Sequence, residues 1–396
     1  MSRQTAVLDI GSSKVLCLIC SPDDNSKVIV QGAGICGYKG YKNGDFVDEK
    51  RLTSAVAEAV EKAENEAKRS VRSLVVGVNA PFSECVLTKE SVQVTSRQGT
   101  ISMKDIDAII DSAYGAQSSD DFDLMHSTPL EFYVNGHVFY DVPLNEKADT
   151  LEAVVSNVYV SRKFRYIVQE ALRKHGISAD TYISVPLAEG SLVIPPECSR
   201  SGALLVDCGY THTDVSYIKN MALIGMKTIN VGGVHFASDL SYGLNIPMAA
   251  AESIKRRYVY SLDYRDSIES IRIPDGGVFR VEFAAIQEII EARANELAEL
   301  VASAARGMGA VMDRGTPIYL TGGGIALMRG SCEFLEKKLN MRVRVNMPWM
   351  PRLSSPNYAS AFAVMRYAMN AALSEKPWGK SSKGGFLDKL KGIFID

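Results

Sequence analysis

An α/β fold built from two related halves is predicted by three observations on this 396-residue chain. Apolar strand-like runs alternate with amphipathic helical ones, which argues for sheets covered by helices. The phrase Asp-x-Gly occurs twice between two apolar runs, once in each half, as Asp9-Ile10-Gly11-Ser12-Ser13-Lys14 and as Asp207-Cys208-Gly209 followed by Thr213-Asp214. A third glycine turn comes late, where Thr316–Leu320 runs into Thr321-Gly322-Gly323-Gly324.

The elements follow in order. Residues 5–38 read as strands with glycine turns, Glu49–Arg69 as an alanine-rich helix and Ser73–Val78 as a buried strand. The rhythm then breaks. Strands at Cys85–Val94, Leu130–Val142 and Leu151–Val160 with a helix at Met103–Tyr114 make 83–163 a small α+β insertion. A helix at Lys163–His175, closed by Gly176, leads to a strand at Tyr182–Val185 and then to the second Asp-x-Gly half. That half holds a strand at Met226–Val231, a helix at Met248–Val259 and short strands near Ile271–Val281. Its long helix, Val281–Arg306, carries Phe283, Ile286, Ile290, Leu297 and Val301 on one face. A last helix is expected at Ile325–Leu339, directly after the glycine triplet.

These turns carry a chemistry. Glycine lets backbone N–H groups approach phosphate oxygens closely. The aspartates repel phosphate, but they hold Mg²⁺ through water, and the metal neutralises the phosphates. Two such hairpins make a nucleotide clamp between two similar halves. A glycine triplet ahead of a helix adds open backbone at a helix N-terminus, where anions bind.

Bulk properties narrow the alternatives. The formal net charge is −2 and no basic block stands out, so no nucleic-acid surface is expected. Seven scattered cysteines suit a reducing compartment, and Cys17 and Cys20 read as core residues of one strand. The five histidines show no ligand spacing. The start, Met1-Ser2-Arg3-Gln4-Thr5, reads as running straight into a strand, not as a signal peptide.

The end of the chain is distinct. Residues 374–384 are polar and read as a flexible linker, and 385–396 read as an amphipathic helix. Phe386, Leu387, Leu390, Ile393 and Phe394 fall on one helical face beside Lys389 and Lys391. Such a segment suits either docking on its own domain or the surface of an anionic membrane. A single short helix binds a membrane transiently, and copies aligned in a row bind more firmly.

The chain resembles the actin, sugar-kinase and heat-shock-chaperone ATPase superfamily and, within it, the bacterial cell-division family FtsA. The stretches that carry the resemblance are 9–15, 124–134 (Leu-Met-His-Ser-Thr-Pro-Leu-Glu-Phe-Tyr-Val), 251–258, 289–293, 321–324 and 355–363. The resemblance implies an actin-like ATPase fold, two related halves around a nucleotide cleft with an α+β insertion in the first half. It implies a first-half core of 1–82, 164–198 and 355–373, a second-half core of 199–240 and 309–354, and a smaller second-half subdomain of 241–308. It also implies roles. Gly11, Ser12, Ser13, Lys14, Asp207, Gly209, Thr213, Gly232 and Gly233 match phosphate-binding positions, with Asp9 and Asp207 on the Mg²⁺ side. Glu252 and Lys255, which by themselves read as a solvated helix pair, match positions framing adenosine. Gly322, Gly323 and Gly324 match its floor.

The implied protein binds ATP and Mg²⁺, associates into filaments and sits on the cytoplasmic side of the inner membrane at the division septum. It anchors the tubulin-like FtsZ there, recruits later division proteins and uses 385–396 as its membrane-targeting helix. Arg256, Arg257 and Arg293 are the positive charges offered to an acidic FtsZ tail, or else a solvated helix face. A pilus-assembly actin-like adaptor and a sugar kinase of the same superfamily are the alternatives.

Two departures from the family pattern stand out. Tyr210, Thr211 and His212 replace a glycine-rich turn, and His212 reads as a surface-turn residue. Where related ATPases carry Glu or Gln before a Pro–small segment, this chain has Val185 before Pro186, with Glu189 out of register. No catalytic residue is assigned, and the pattern supports ATP binding better than hydrolysis.

Overall fold

The computed structural model describes residues 5–22, 28–42, 45–115, 121–260, 262, 267–272, 277–347 and 353–373. The linker and helix expected at 374–396, with their membrane-facing residues, lie outside the described residues. The chain divides into two compact units, Met1–Ser201 with Ile218–Met226 and Ser360–Asp396, and Gly202–Tyr217 with Lys227–Ala359.

The first unit opens with strands β1 (Thr5–Ile10), β2 (Lys14–Pro22) and β3 (Val28–Gly37), a short ribbon β4 (Tyr41–Lys42) and β5 (Asp45–Phe46), helix α1 (Glu49–Ala67) and strand β6 (Ser73–Val78). The insertion follows as β7 (Ser83–Gln93), α2 (Met103–Gly115), β8 (Phe122–Val134), β9 (His137–Phe139) and β10 (Thr150–Ser161). Then come α3 (Arg162–Arg173), β11 (Ser178–Ser184), α4 (Val185–Val193) and α5 (Pro196–Ser201). The main sheet has the order β11-β6-β1-β2-β3, with β1 antiparallel to β2 and parallel to β6.

Helix α1 packs on this sheet through Leu52, Ala55, Val56, Ala59, Val60 and Ala63, spaced to form one face. Asp48 caps its start by accepting from the Arg51 N–H, and Lys68 ends it in the left-handed region at φ 54°. Strand β3 meets α1 main chain to main chain. A Cβ at Gly34 would lie 1.8 Å from the Ala59 carbonyl oxygen, and one at Gly32 2.2 Å from that of Ala63.

The insertion is a separate antiparallel sheet, β7-β10-β8-β9, with α2 on one face. Its own core includes Ile101, Ile106, Ile109, Phe132, Leu151 and Val155. Asp105 organises the approach to α2, accepting from the main-chain N–H and the hydroxyl of both Thr95 and Ser102.

The second unit begins with β12 (Ala203–Cys208), β13 (Thr213–Lys219) and β14 (Ala222–Ile229), followed by α6 (Gly233–Gly243) and α7 (Met248–Arg257). A two-stranded ribbon, β15 (Ile268–Arg272) and β16 (Val278–Glu282), precedes the long α8 (Phe283–Gly307). Then come β17 (Ile318–Thr321), α9 (Ser331–Leu339) and β18 (Val343–Arg344); α10 (Ala359–Leu373), which closes the described chain, belongs from Ser360 on to the first unit. The sheet order is β14-β13-β12-β17-β18, with β12, β17 and β18 parallel. Ile286, Ile290, Leu297 and Val301 of α8 are buried as their spacing predicts, and Phe283 is partly buried against them. The tip of the β13–β14 hairpin, assigned to the first unit, docks on the insertion. There the Leu223 carbonyl accepts from the Ser156 hydroxyl at 2.6 Å, and the Asn220 amide donates to the carbonyls of Leu130 and Tyr140, both at 2.8 Å.

One expectation is corrected. The helix predicted from Ile325 begins at Ser331, so the glycine triplet is not at a helix N-terminus. Gly322 at φ 84° and Gly330 at φ 77° break the backbone at both ends of the segment, and residues between them form turns. Among the described residues no helix is long and apolar enough to cross a membrane.

Gly34→Ala is expected to destabilise the first unit by about 2 kcal/mol or more, because the contacted Ala59 and Ala63 atoms are main chain. Gly37→Ala, where a Cβ meets nothing within 4 Å, is the control. Urea midpoints compare the two, and equal midpoints would refute the close α1–β3 approach.

Candidate functional site

Each unit presents one hairpin turn of the same construction. In the first, the Gly11 N–H donates to the Lys14 carbonyl at 2.9 Å, and in the second the Gly209 N–H donates to the His212 carbonyl at 2.9 Å. The two turns therefore match residue by residue, and His212 holds the position that Lys14 holds. The sequences Asp-x-Gly-x-x-Lys and Asp-x-Gly-x-x-His carry this equivalence openly once aligned on their aspartates.

In the first unit Asp9, next to last in β1, is a buried carboxylate, 5% exposed. The Ser360 hydroxyl donates to its Oδ2 at 2.6 Å, while Oδ1 is buried with no hydrogen-bond partner among the described residues. Burial pushes the Asp9 carboxyl above its usual range, and Ser360, Lys14 and Asn79 pull it back in smaller measure. The Asn79 amide donates to the Ile10 carbonyl at 3.0 Å, and the Tyr38 N–H to that of Ser13 at 2.9 Å, so both flanks of the turn are pinned. Ser12 is buried, and Gly11, Ser13 and Lys14 are half-buried.

In the second unit the glycines converge. The Gly233 and Val234 N–H groups at the start of α6 donate to the carbonyls of Gly209 (2.9 Å) and Tyr210 (2.8 Å). The Gly324 N–H donates to the Cys208 carbonyl at 2.7 Å. A Cβ at Gly233 would lie 2.8 Å from the Gly324 Cα, and one at Gly324 2.5 Å from the Cys208 Sγ. One at Gly322 would meet the Asp207 Oδ1 at 2.3 Å. Lys255, buried in α7, donates to the Gly233 carbonyl at 3.0 Å and pairs with Glu252 at 2.8 Å. The structure thus brings Asp207, Gly209, Gly232, Gly233, Glu252, Lys255, Gly322 and Gly324 to one place in this unit, while Gly323 faces Asn357.

Two expected residues sit differently. Thr213 is fully buried, and its hydroxyl donates to the Val231 carbonyl at 2.7 Å, which ties it into the packing of the hairpin. His212 is not a surface-turn residue. Its side chain is 13% exposed, with Nδ1 3.1 Å from the Thr211 hydroxyl and Nε2 3.6 Å from Asp214. Burial lowers the His212 pKa and raises that of Asp214 to about 7. Val185 opens α4, and Glu189 is buried on the same helix.

Arg256, Arg257 and Arg293 each pair with a carboxylate of the second unit. Arg293 forks onto Asp239 at 2.6 and 3.0 Å and also reaches Glu296, while Arg256 pairs with Glu252 and Arg257 with Glu269, both at 2.9 Å.

For a divalent cation, the donor set of the first unit fits. A buried carboxylate oxygen without a partner is the kind of group a metal-bound water satisfies, and Mg²⁺ commonly takes one or two carboxylates together with nucleotide phosphates. Among the described residues no three His, Cys, Asp or Glu side chains converge as a metal cage.

The architecture defines a class, the actin-like fold. A solved PilM–PilN type IV pilus biogenesis complex contains a chain that superposes with a TM-score of 0.63 at 17% identity, covering 92% of this chain and 99% of that one. MreB5 of Spiroplasma citri bound to ADP superposes at 0.55 and 11% identity, covering 92% and 95%. Within that class, sequence gives the particular kinship. A family model described as cell division protein FtsA matches residues 204–363. The cell division protein FtsA of Neisseria meningitidis serogroup B is 27% identical over 415 residues, spanning 98% of this chain and 97% of its own length. The chain is a relative of the FtsA proteins.

Gly322→Ala forces a side chain into a positive-φ position against Asp207 and is expected to cost about 1–3 kcal/mol. Gly323→Ala, whose Cβ would meet only the Asn357 side chain at 3.0 Å, is expected to cost less. Denaturation midpoints check the order, and a reversed order would contradict it.

Proposed function

We propose that this chain is a nucleotide-binding, actin-like protein of bacterial cell division, acting as its FtsA relatives' name states. The observation that carries the reading is the pair of equivalent hairpin turns, the second packed against four further glycines and Lys255. Each turn takes part in holding ATP. Gly11–Lys14 and Gly209 with Gly232 and Gly233 approach the phosphates, and Glu252, Lys255 and Gly322–Gly324 border the adenosine. Asp9 and Asp207 hold Mg²⁺ through water, and the metal offsets phosphate charge. Hydrolysis is slow or absent, because Val185 supplies nothing to orient a water.

On this reading the protein assembles into filaments on the cytoplasmic face of the membrane at the division site and tethers FtsZ filaments. The 241–308 subdomain receives the FtsZ tail, and later division proteins are recruited there. Since Arg256, Arg257 and Arg293 each have an internal carboxylate partner, an acidic tail binds by competing for those pairs, not by meeting free charge. The kinship in sequence over 98% of the chain favours division over the pilus-adaptor reading. The likeness to PilM, at 17% identity, is one of fold.

Calorimetric titration with ATP and Mg²⁺ tests the site. The chain is expected to bind, and Lys255→Ala to bind roughly tenfold more weakly through loss of a charged hydrogen-bonding group. No binding by the unaltered chain would overturn the reading. Anchoring is tested separately by co-sedimentation with anionic liposomes, comparing the full chain with one ending at Gly384. Pelleting of the full chain alone is expected, and both chains staying in solution would remove the membrane role from 385–396.

A further inference from the structure

A carboxylate buried with one oxygen satisfied and the other not is costly to keep. Asp9 is such a group, at 5% exposure, with Oδ2 taken by Ser360 and Oδ1 left without a partner among the described residues. Ser360 stands in the first turn of α10, far along the chain from β1. Its hydroxyl is held in place by its neighbours. Ala359, Ala361, Phe362, Ala363 and Val364 are all buried, so this turn of α10 is fixed by packing on both sides of Ser360. Val364 packs beside β6, where its Cγ2 would lie 3.1 Å from a Cβ at Gly77. The 2.6 Å separation is that of a hydrogen bond from the hydroxyl to the carboxyl oxygen. A group on a rigid helix that grips one oxygen of a carboxylate fixes the direction of the other.

We propose that Ser360 is a positioning residue that orients Asp9 so that its Oδ1 serves the divalent cation of the bound nucleotide through water. The inference rests on the nucleotide reading above and adds to it a residue that neither glycine turn contains. Ser360 touches neither nucleotide nor metal, and acts only through Asp9. Its removal weakens the contribution of the metal and leaves the contacts of the glycine turns alone.

Titration of a fluorescent ATP analogue, with Mg²⁺ and separately with EDTA, tests it on the full chain. The unaltered protein is expected to bind more tightly with Mg²⁺. In Ser360→Ala that gain is expected to shrink about tenfold, as for loss of a hydrogen bond to a charged group, with affinity in EDTA unchanged. Ser360→Thr, which keeps the hydroxyl, is expected to restore the gain. Ser360→Cys, with its weaker donor, replaces the alanine variant if that one does not fold, and is expected to show a reduced gain. An undiminished Mg²⁺ gain in Ser360→Ala overturns the inference, and so does an equal loss in Mg²⁺ and in EDTA, which makes Ser360 a purely structural residue. Binding by the unaltered protein that ignores Mg²⁺ overturns this inference and leaves the nucleotide reading standing. No binding in either condition overturns both.

Discussion

A Cβ at Gly232, Gly233, Gly322 or Gly324 would lie within 2.8 Å of neighbouring main-chain, cysteine or aspartate atoms, and the second turn holds its shape because none is present. Main chain stacks on main chain there, and the N–H groups at the start of α6 and at Gly324 are spent on the carbonyls of Cys208, Gly209 and Tyr210. This packing locks together three segments far apart in sequence: the β12–β13 turn, the start of α6 and the loop after β17. Lys255 joins from a fourth, α7, through the Gly233 carbonyl. A site of this kind is set by backbone conformation, so its affinity for a ligand depends on side chains mainly where they steer the turn.

The two turns solve one problem with different side chains. The shared bond from glycine to the residue three further on gives both the same backbone path. Lys14 remains half-buried at its position, whereas His212 turns inward toward Asp214, itself held by the Thr228 hydroxyl at 2.6 Å. The second turn therefore carries no fixed positive charge of its own at that place. Burial lowers the His212 pKa and raises that of Asp214.

Much of the fold was legible because its signals are local. The apolar spacing of α8, the alanine-rich face of α1 and the strand at Ser73–Val78 all appear where their periodicity places them. Helix α4 gave no such signal, since it is apolar nearly all round and buried on every side. The late start of α9 depends on two glycines adopting positive φ, which composition alone does not distinguish from a helix with glycine ahead of it. At the candidate site the glycines were readable, but what they touch was not. The partnership of Ser360 with Asp9 joins residues near opposite ends of the chain, and no spacing rule links them. The inward turn of His212 likewise follows from tertiary burial, which a polar turn sequence does not reveal.

The central claim is that the hairpin turn of each unit answers to ATP. Hydrogen exchange of the full chain, with and without ATP and Mg²⁺, measures this most directly. The account predicts that exchange slows together across 11–14 in the first unit and across 209–212, 232–234 and 322–324 in the second. Slowing confined to one unit, or none in either at saturating nucleotide, would contradict it.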